Sequence, residues 1–111
     1  MDSHCNNREM DDEDWIDGAA EFIEDLIGKM EKCDEQLGDY PYDPNISNLR
    51  EKLDQLLEDT KSQRHEIASL QRTNFAPMEK RTTMCRAFQE IERLWESLKY
   101  LIDQELSGQE W

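Results

Sequence analysis

The sequence predicts an all-α fold, an elongated antiparallel three-helix bundle running up-down-up and packed as a left-handed coiled coil. Three observations predict it. Apolar residues recur at alternating spacings of three and four in three separate stretches. Turn residues separate those stretches. The chain has 111 residues, the size of one domain with a modest core. A three-four alternation averages 3.5 residues, so it draws one continuous seam down the side of an α-helix. Three seams in one short chain imply three helices burying their faces against each other.

The first seam is Ile16, Ala19, Ile23, Leu26, Met30, Cys33 and Leu37, and it places a helix over about 14–37. Acidic residues 11–14 lie near its N-terminus, where negative charge favours the helix dipole. Gly38 suits the position after its end. Gly18 and Gly28 face outward and weaken this helix by about 1 kcal/mol each relative to Ala. It is expected to be the least stable of the three. Residues 1–13 are polar and acidic without periodicity and read as a mobile tail, and residues 108–111 read as a C-terminal tail.

Asp43 before Pro44 reads as an N-cap followed by the first helical position. The second helix then covers about 44–73 with the seam Ile46, Leu49, Leu53, Leu56, Thr60, Gln63, Ile67 and Leu70. Thr60 and Gln63 make the middle of this seam polar, which costs stability and helps fix register, or places those positions toward solvent. Pro77 opens a third helix over about 77–106, with the seam Met84, Phe88, Ile91, Trp95, Leu98 and Ile102. Beside it runs a second stripe, Ala87, Leu94 and Leu101, seven residues apart. The wider apolar face predicts that this helix touches both others, with Trp95 as the largest burial. Phe22 completes the expected core.

The net charge of -14, from 27 acidic and 13 basic residues, opposes binding to nucleic acid or an anionic membrane. No stretch approaches the roughly 18 apolar residues of a membrane span, and the first fourteen residues have no apolar stretch of a signal peptide. Three cysteines without close pairing fit reduced thiols and a cytoplasmic setting.

The chain resembles a spectrin repeat over about residues 14–107. The stretch IERLWESLKYLIDQEL, residues 91–106, looks like that family's third helix, with Trp95 followed three residues later by Leu98. The family's first helix centres on an aromatic residue followed by an apolar one, and Phe22-Ile23 or Trp15-Ile16 fills that role. GDY at 38–40 looks like the loop between the first two helices, and residues 48–70 fit the second helix in length and texture. The resemblance implies a spacer and docking module of the kind found in cytoskeletal and nuclear-envelope-linker proteins.

Other chemistry finds little support in the residues. Aligning Gly18 with the glycine of a calcium loop puts Glu24 at the final ligand position, but the third position is Trp15, which cannot ligate. His4 and His65 lack the spacing of zinc ligands. Cys33 and Cys85 read as small buried apolar residues, and Cys5 as an exposed thiol. Carboxylate pairs abound, yet a narrow rod offers no cleft to tune them, and glycine-rich phosphate loops and nucleophile elbows are missing. The sequence therefore predicts no catalytic residue, no cofactor and no metal. Partners are expected to be other proteins with basic or apolar helical surfaces, or neighbouring repeats, and the chain a monomer or weak dimer. Tyr40 and Tyr42 are expected to pack on the bundle end. Tyr100 and Trp111 are the candidate partner contacts. The alternatives are a regulatory three-helix bundle that binds another helix, similar to a syntaxin N-terminal bundle, and a self-associating coiled-coil adaptor in which the marginal first helix is exchanged between copies.

Overall fold

A computed structural model describes residues 11–40 and 42–108. They form α1 (Asp12–Leu37), α2 (Pro44–Thr73) and α3 (Met78–Ser107), with no strand among the described residues. Short turns make successive helices antiparallel, and α2 packs against both neighbours. The body measures 51 × 26 × 16 Å. Residues 1–10 and 109–111, with Cys5, His4 and Trp111 among them, lie outside the described residues.

The seams become the core. Every residue of the α3 seam is buried, as is every seam residue of α1 and α2 except Cys33 and Gln63, which are half-buried. Trp15, Ile27, Leu57, Ala76 and Cys85 are buried as well. Phe88 is the aromatic junction of α1 and α3. Its ring lies 6.5 Å from that of Trp15 and 5.7 Å from that of Phe22. Centroid separations in this range are favourable aromatic pairings. Both aromatic candidates of α1 therefore meet the same α3 residue, Phe22 from a half-buried position.

Thr60 is 0% exposed and does not look toward solvent. Its hydroxyl donates to the Leu56 carbonyl at 2.8 Å, with the Met30 sulfur 3.6 Å away. A Thr hydroxyl bonded one turn back satisfies itself within its own helix, which lets a polar residue occupy a core position. Gln63 keeps a buried Oε1 without a hydrogen-bond partner among the described residues.

The second stripe of α3 departs from expectation. Leu94 and Leu101 are 47% and 48% exposed and belong to the surface, and Ala87 is half-buried. The reason is angular. At 100° per residue, Leu94 and Leu101 sit roughly 80–100° round from the centre of the Phe88–Ile102 seam. On the opposite flank Cys85 and Arg81 are buried near the start of α3, whereas Lys99 and Asp103 further on are exposed. The α3 helix does touch both neighbours, but through its seam.

Helix ends follow capping chemistry. Asp43 accepts from the backbone N–H groups of Asn45 at 2.9 Å and Ile46 at 3.3 Å, ahead of Pro44. Asn74 closes α2 in the left-handed conformation, φ 53°, and donates to the Leu70 carbonyl. Pro77 stands just before α3, not inside it, because its ψ of 152° is extended. Gly38 ends α1 in a right-handed conformation, so its lack of Cβ matters for space: a Cβ there would lie 3.1 Å from the Glu35 carbonyl oxygen. Tyr40 packs on the core, whereas Tyr42 projects into solvent.

A polar clamp that the apolar periodicity does not reveal holds the end of the bundle where α1 begins. Arg81 is 5% exposed. Its Nε donates to the Ala76 carbonyl at 2.9 Å, its Nη2 bonds the Asp12 carboxylate, and its guanidinium lies 5.7 Å from the Trp15 ring centre. The same carboxylate accepts from the Ala76 N–H at 3.2 Å. A buried guanidinium is tolerated only when paired and hydrogen-bonded in this way. The pairing also explains why α1 starts at Asp12, two residues before the seam requires.

Asp12→Ala is expected to cost about 1–3 kcal/mol in chemical denaturation, because it removes one carboxylate partner from the buried Arg81 guanidinium and from the Ala76 N–H. Gly28 projects outward, and a Cβ added there meets no atom within 4 Å. Gly28→Ala is therefore expected to raise stability by about 1 kcal/mol in the same measurement.

Candidate docking surface

The exposed leucines line a groove. Leu94 and Leu101 on α3 face α2 across a cavity of about 280 Å³, floored by Leu56 and Leu98. Lys52, Asp59 and Ser97 form its rim. The antiparallel run of the two helices sets Lys52 near the Leu101 end and Asp59 near the Leu94 end. Asp59 accepts from the Gln55 side-chain amide at 3.4 Å, and Lys52 forms no ion pair with a described residue. Two leucines one heptad apart, open to water beside an apolar floor, match the anchor spacing of a helix-in-groove contact.

Tyr100, a predicted contact, is 64% exposed on the same helix but does not line the groove. Four groove residues are core residues on periodicity, Leu56, Leu94, Leu98 and Leu101; Leu56 and Leu98 are buried, and Leu94 and Leu101 are not. Their heptad spacing was the signal; what it lacked was the position of α2.

Phe75 and Met78 add exposed apolar surface at the turn between α2 and α3. A depression of about 450 Å³ between α1 and α2 is bordered by Glu24, Lys61, Arg64 and His65. Its cations are already engaged, Arg64 with Glu24 at 3.5 Å and Lys61 with Glu31 at 3.8 Å. The α1 helix runs unbroken through residues 13–24, so those side chains radiate from a helix and do not wrap an ion. No group of three or more His, Cys, Asp or Glu among the described residues is placed to hold a metal. No helix among them is long and apolar enough to cross a membrane.

Near the other end of the bundle, Arg50 on α2 donates to Asp34 on α1 at 2.9 Å. This hydrogen bond, then the charge of Asp34, holds the guanidinium above its usual value. Asp54, one turn on, is pushed up by partial desolvation first, then by the charge of Asp34 and a hydrogen bond with it. The Cys33 thiol is likewise raised, chiefly by burial, which disfavours the reactive thiolate.

The chain matches no protein-family model, and no significant match to it is found among curated proteins or solved structures.

The raised value of Asp54 carries a sign. A carboxyl that binds its proton more tightly in the folded state penalises folding when ionised, and the penalty vanishes as pH falls through the folded value. Asp54→Asn is expected to be more stable than wild type at pH 7, with the difference shrinking toward zero as pH drops through the carboxylate range. Thermal melts across that range check it; a difference that stays constant contradicts the assignment.

Proposed function

We propose that this chain is a non-enzymatic protein-docking module and spacer whose α2–α3 groove receives another protein. The observation that carries the reading is the pair Leu94 and Leu101, each about half exposed beside the apolar floor of one groove. Apolar side chains held open in this arrangement cost hydration free energy that a partner recovers. The spacer part is supported by helices of 26, 30 and 30 residues in a body 51 Å long, and by the resemblance to a spectrin repeat. Stiffness comes from the continuous core, which runs from Trp15 and Phe88 to Leu37 and Ile102. The groove equally suits a regulatory bundle that covers or releases an amphipathic helix, because the spacing of its two leucines is a helical repeat. A cytoplasmic place, cytoskeletal or nuclear-envelope associated, goes with either use.

The test replaces Leu94 and Leu101 by Asp together. Both positions are solvent-facing, so circular dichroism and the melting temperature are expected to change little. Proteins captured from a cell extract by immobilised wild-type chain are expected to be lost by the double variant. Capture that is equal for both contradicts the groove as the docking surface.

A further inference from the structure

We propose that the α2–α3 groove pairs with the same groove of a second copy of this chain, in a weak antiparallel dimer. The inference rests on the docking reading above and names the occupant.

Local charge selects that occupant. The protein carries a net charge of -14, yet its groove is nearly neutral, with Lys52 and Asp59 as the charged residues of the lining. A basic partner helix would call for an acidic rim, which this groove lacks. At physiological salt, repulsion between two acidic chains is screened over about 8 Å, so a locally neutral apolar patch is where copies can approach.

The charge pattern is also self-complementary. Lys52 and Asp59 lie seven residues apart on α2, and Leu94 and Leu101 lie seven apart on α3, each pair about 10 Å along its helix. The midpoint of the first pair falls at Gln55 and Leu56; that of the second falls at Ser97 and Leu98. All four residues line the same groove, so both midpoints sit at one level. A two-fold axis crossing the helices there sets Lys52 against the other copy's Asp59 and Asp59 against its Lys52. It also sets each Leu94 against the other copy's Leu101. Isologous contacts require this reciprocity, in which one patch serves both sides. Ser97 at the axis is small enough to admit close approach.

The size of the patch sets the strength. A stable dimer buries about 1,200–2,000 Å² in total, and two half-exposed leucines with a groove of about 280 Å³ fall well short. The dimer is therefore concentration-dependent, with a dissociation constant in roughly the 0.1–1 mM range.

Sedimentation equilibrium of the full chain, up to about 1 mM, tests this. Wild type is expected to show a monomer–dimer equilibrium. Lys52→Asp and Asp59→Lys each place like charges opposite one another twice, and each is expected to weaken it about tenfold. The double exchange Lys52→Asp/Asp59→Lys restores both pairs and is expected to recover wild-type association within about threefold. Circular dichroism checks that each variant folds. A chain monomeric throughout, or a double exchange that fails to recover, overturns the dimer. If the chain is monomeric but Leu94→Asp/Leu101→Asp still loses captured proteins, the groove docks another protein and the second copy alone falls. If neither effect appears, both readings fall.

Discussion

A helix can turn only one seam toward two neighbours, and that constraint governs this molecule. Each helix repeats apolar residues at three-four spacing, and the three seams converge on a common interior. Once Phe88, Trp95 and Ile102 point inward, nothing about α3 can also turn Leu94 and Leu101 inward. A fourth helix would cover them; three leave them in the surface. Core and groove are thus two consequences of one geometry, and the apolar content of α3 exceeds what the bundle itself uses.

Much of the fold could be read from the residues because the heptad pattern encodes it directly. The helix limits at Leu37, Pro44 and Thr73 follow from the seam and from Asp43, Pro44 and Gly38, whose backbone preferences are local. The burial of Trp95, Leu53 and Met30 follows from periodicity. What periodicity leaves out is the neighbour. It assigns Leu94 and Leu101 an apolar character without saying whether a helix lies opposite. It gives Thr60 a polar one without showing that a hydroxyl can be satisfied by the Leu56 carbonyl of its own helix. Arg81 was illegible for a different reason. Its partners Asp12 and Ala76 lie 69 and 5 residues away in sequence, and only the closed bundle brings the carboxylate to the guanidinium.

The polar contacts divide the labour along the rod. At one end, Arg81, Asp12 and the Ala76 backbone tie the start of α1 to the turn between α2 and α3. Toward the other, Arg50 joins α2 to Asp34 of α1. Between them the buried contacts are apolar apart from Thr60 and Gln63, with the surface ion pairs Arg64–Glu24 and Lys61–Glu31 bridging α1 and α2. Polar pairs at the ends fix register where side chains are partly hydrated, while the apolar middle supplies most of the free energy. The residues lining the α2–α3 groove form no ion pair with a described residue, so its exposed side chains can vary without disturbing the core.

The central claim is that α3 keeps one apolar stripe inside the bundle and holds a second outside it. Methyl relaxation enhancement by a soluble nitroxide, measured on leucine-labelled protein dilute enough to be monomeric, reads this directly. Strong broadening of the Leu94 and Leu101 methyls, with Leu53 and Leu98 protected, is the predicted result. Protection of Leu94 and Leu101 equal to that of Leu53 would contradict it, because the stripe would then lie within the core.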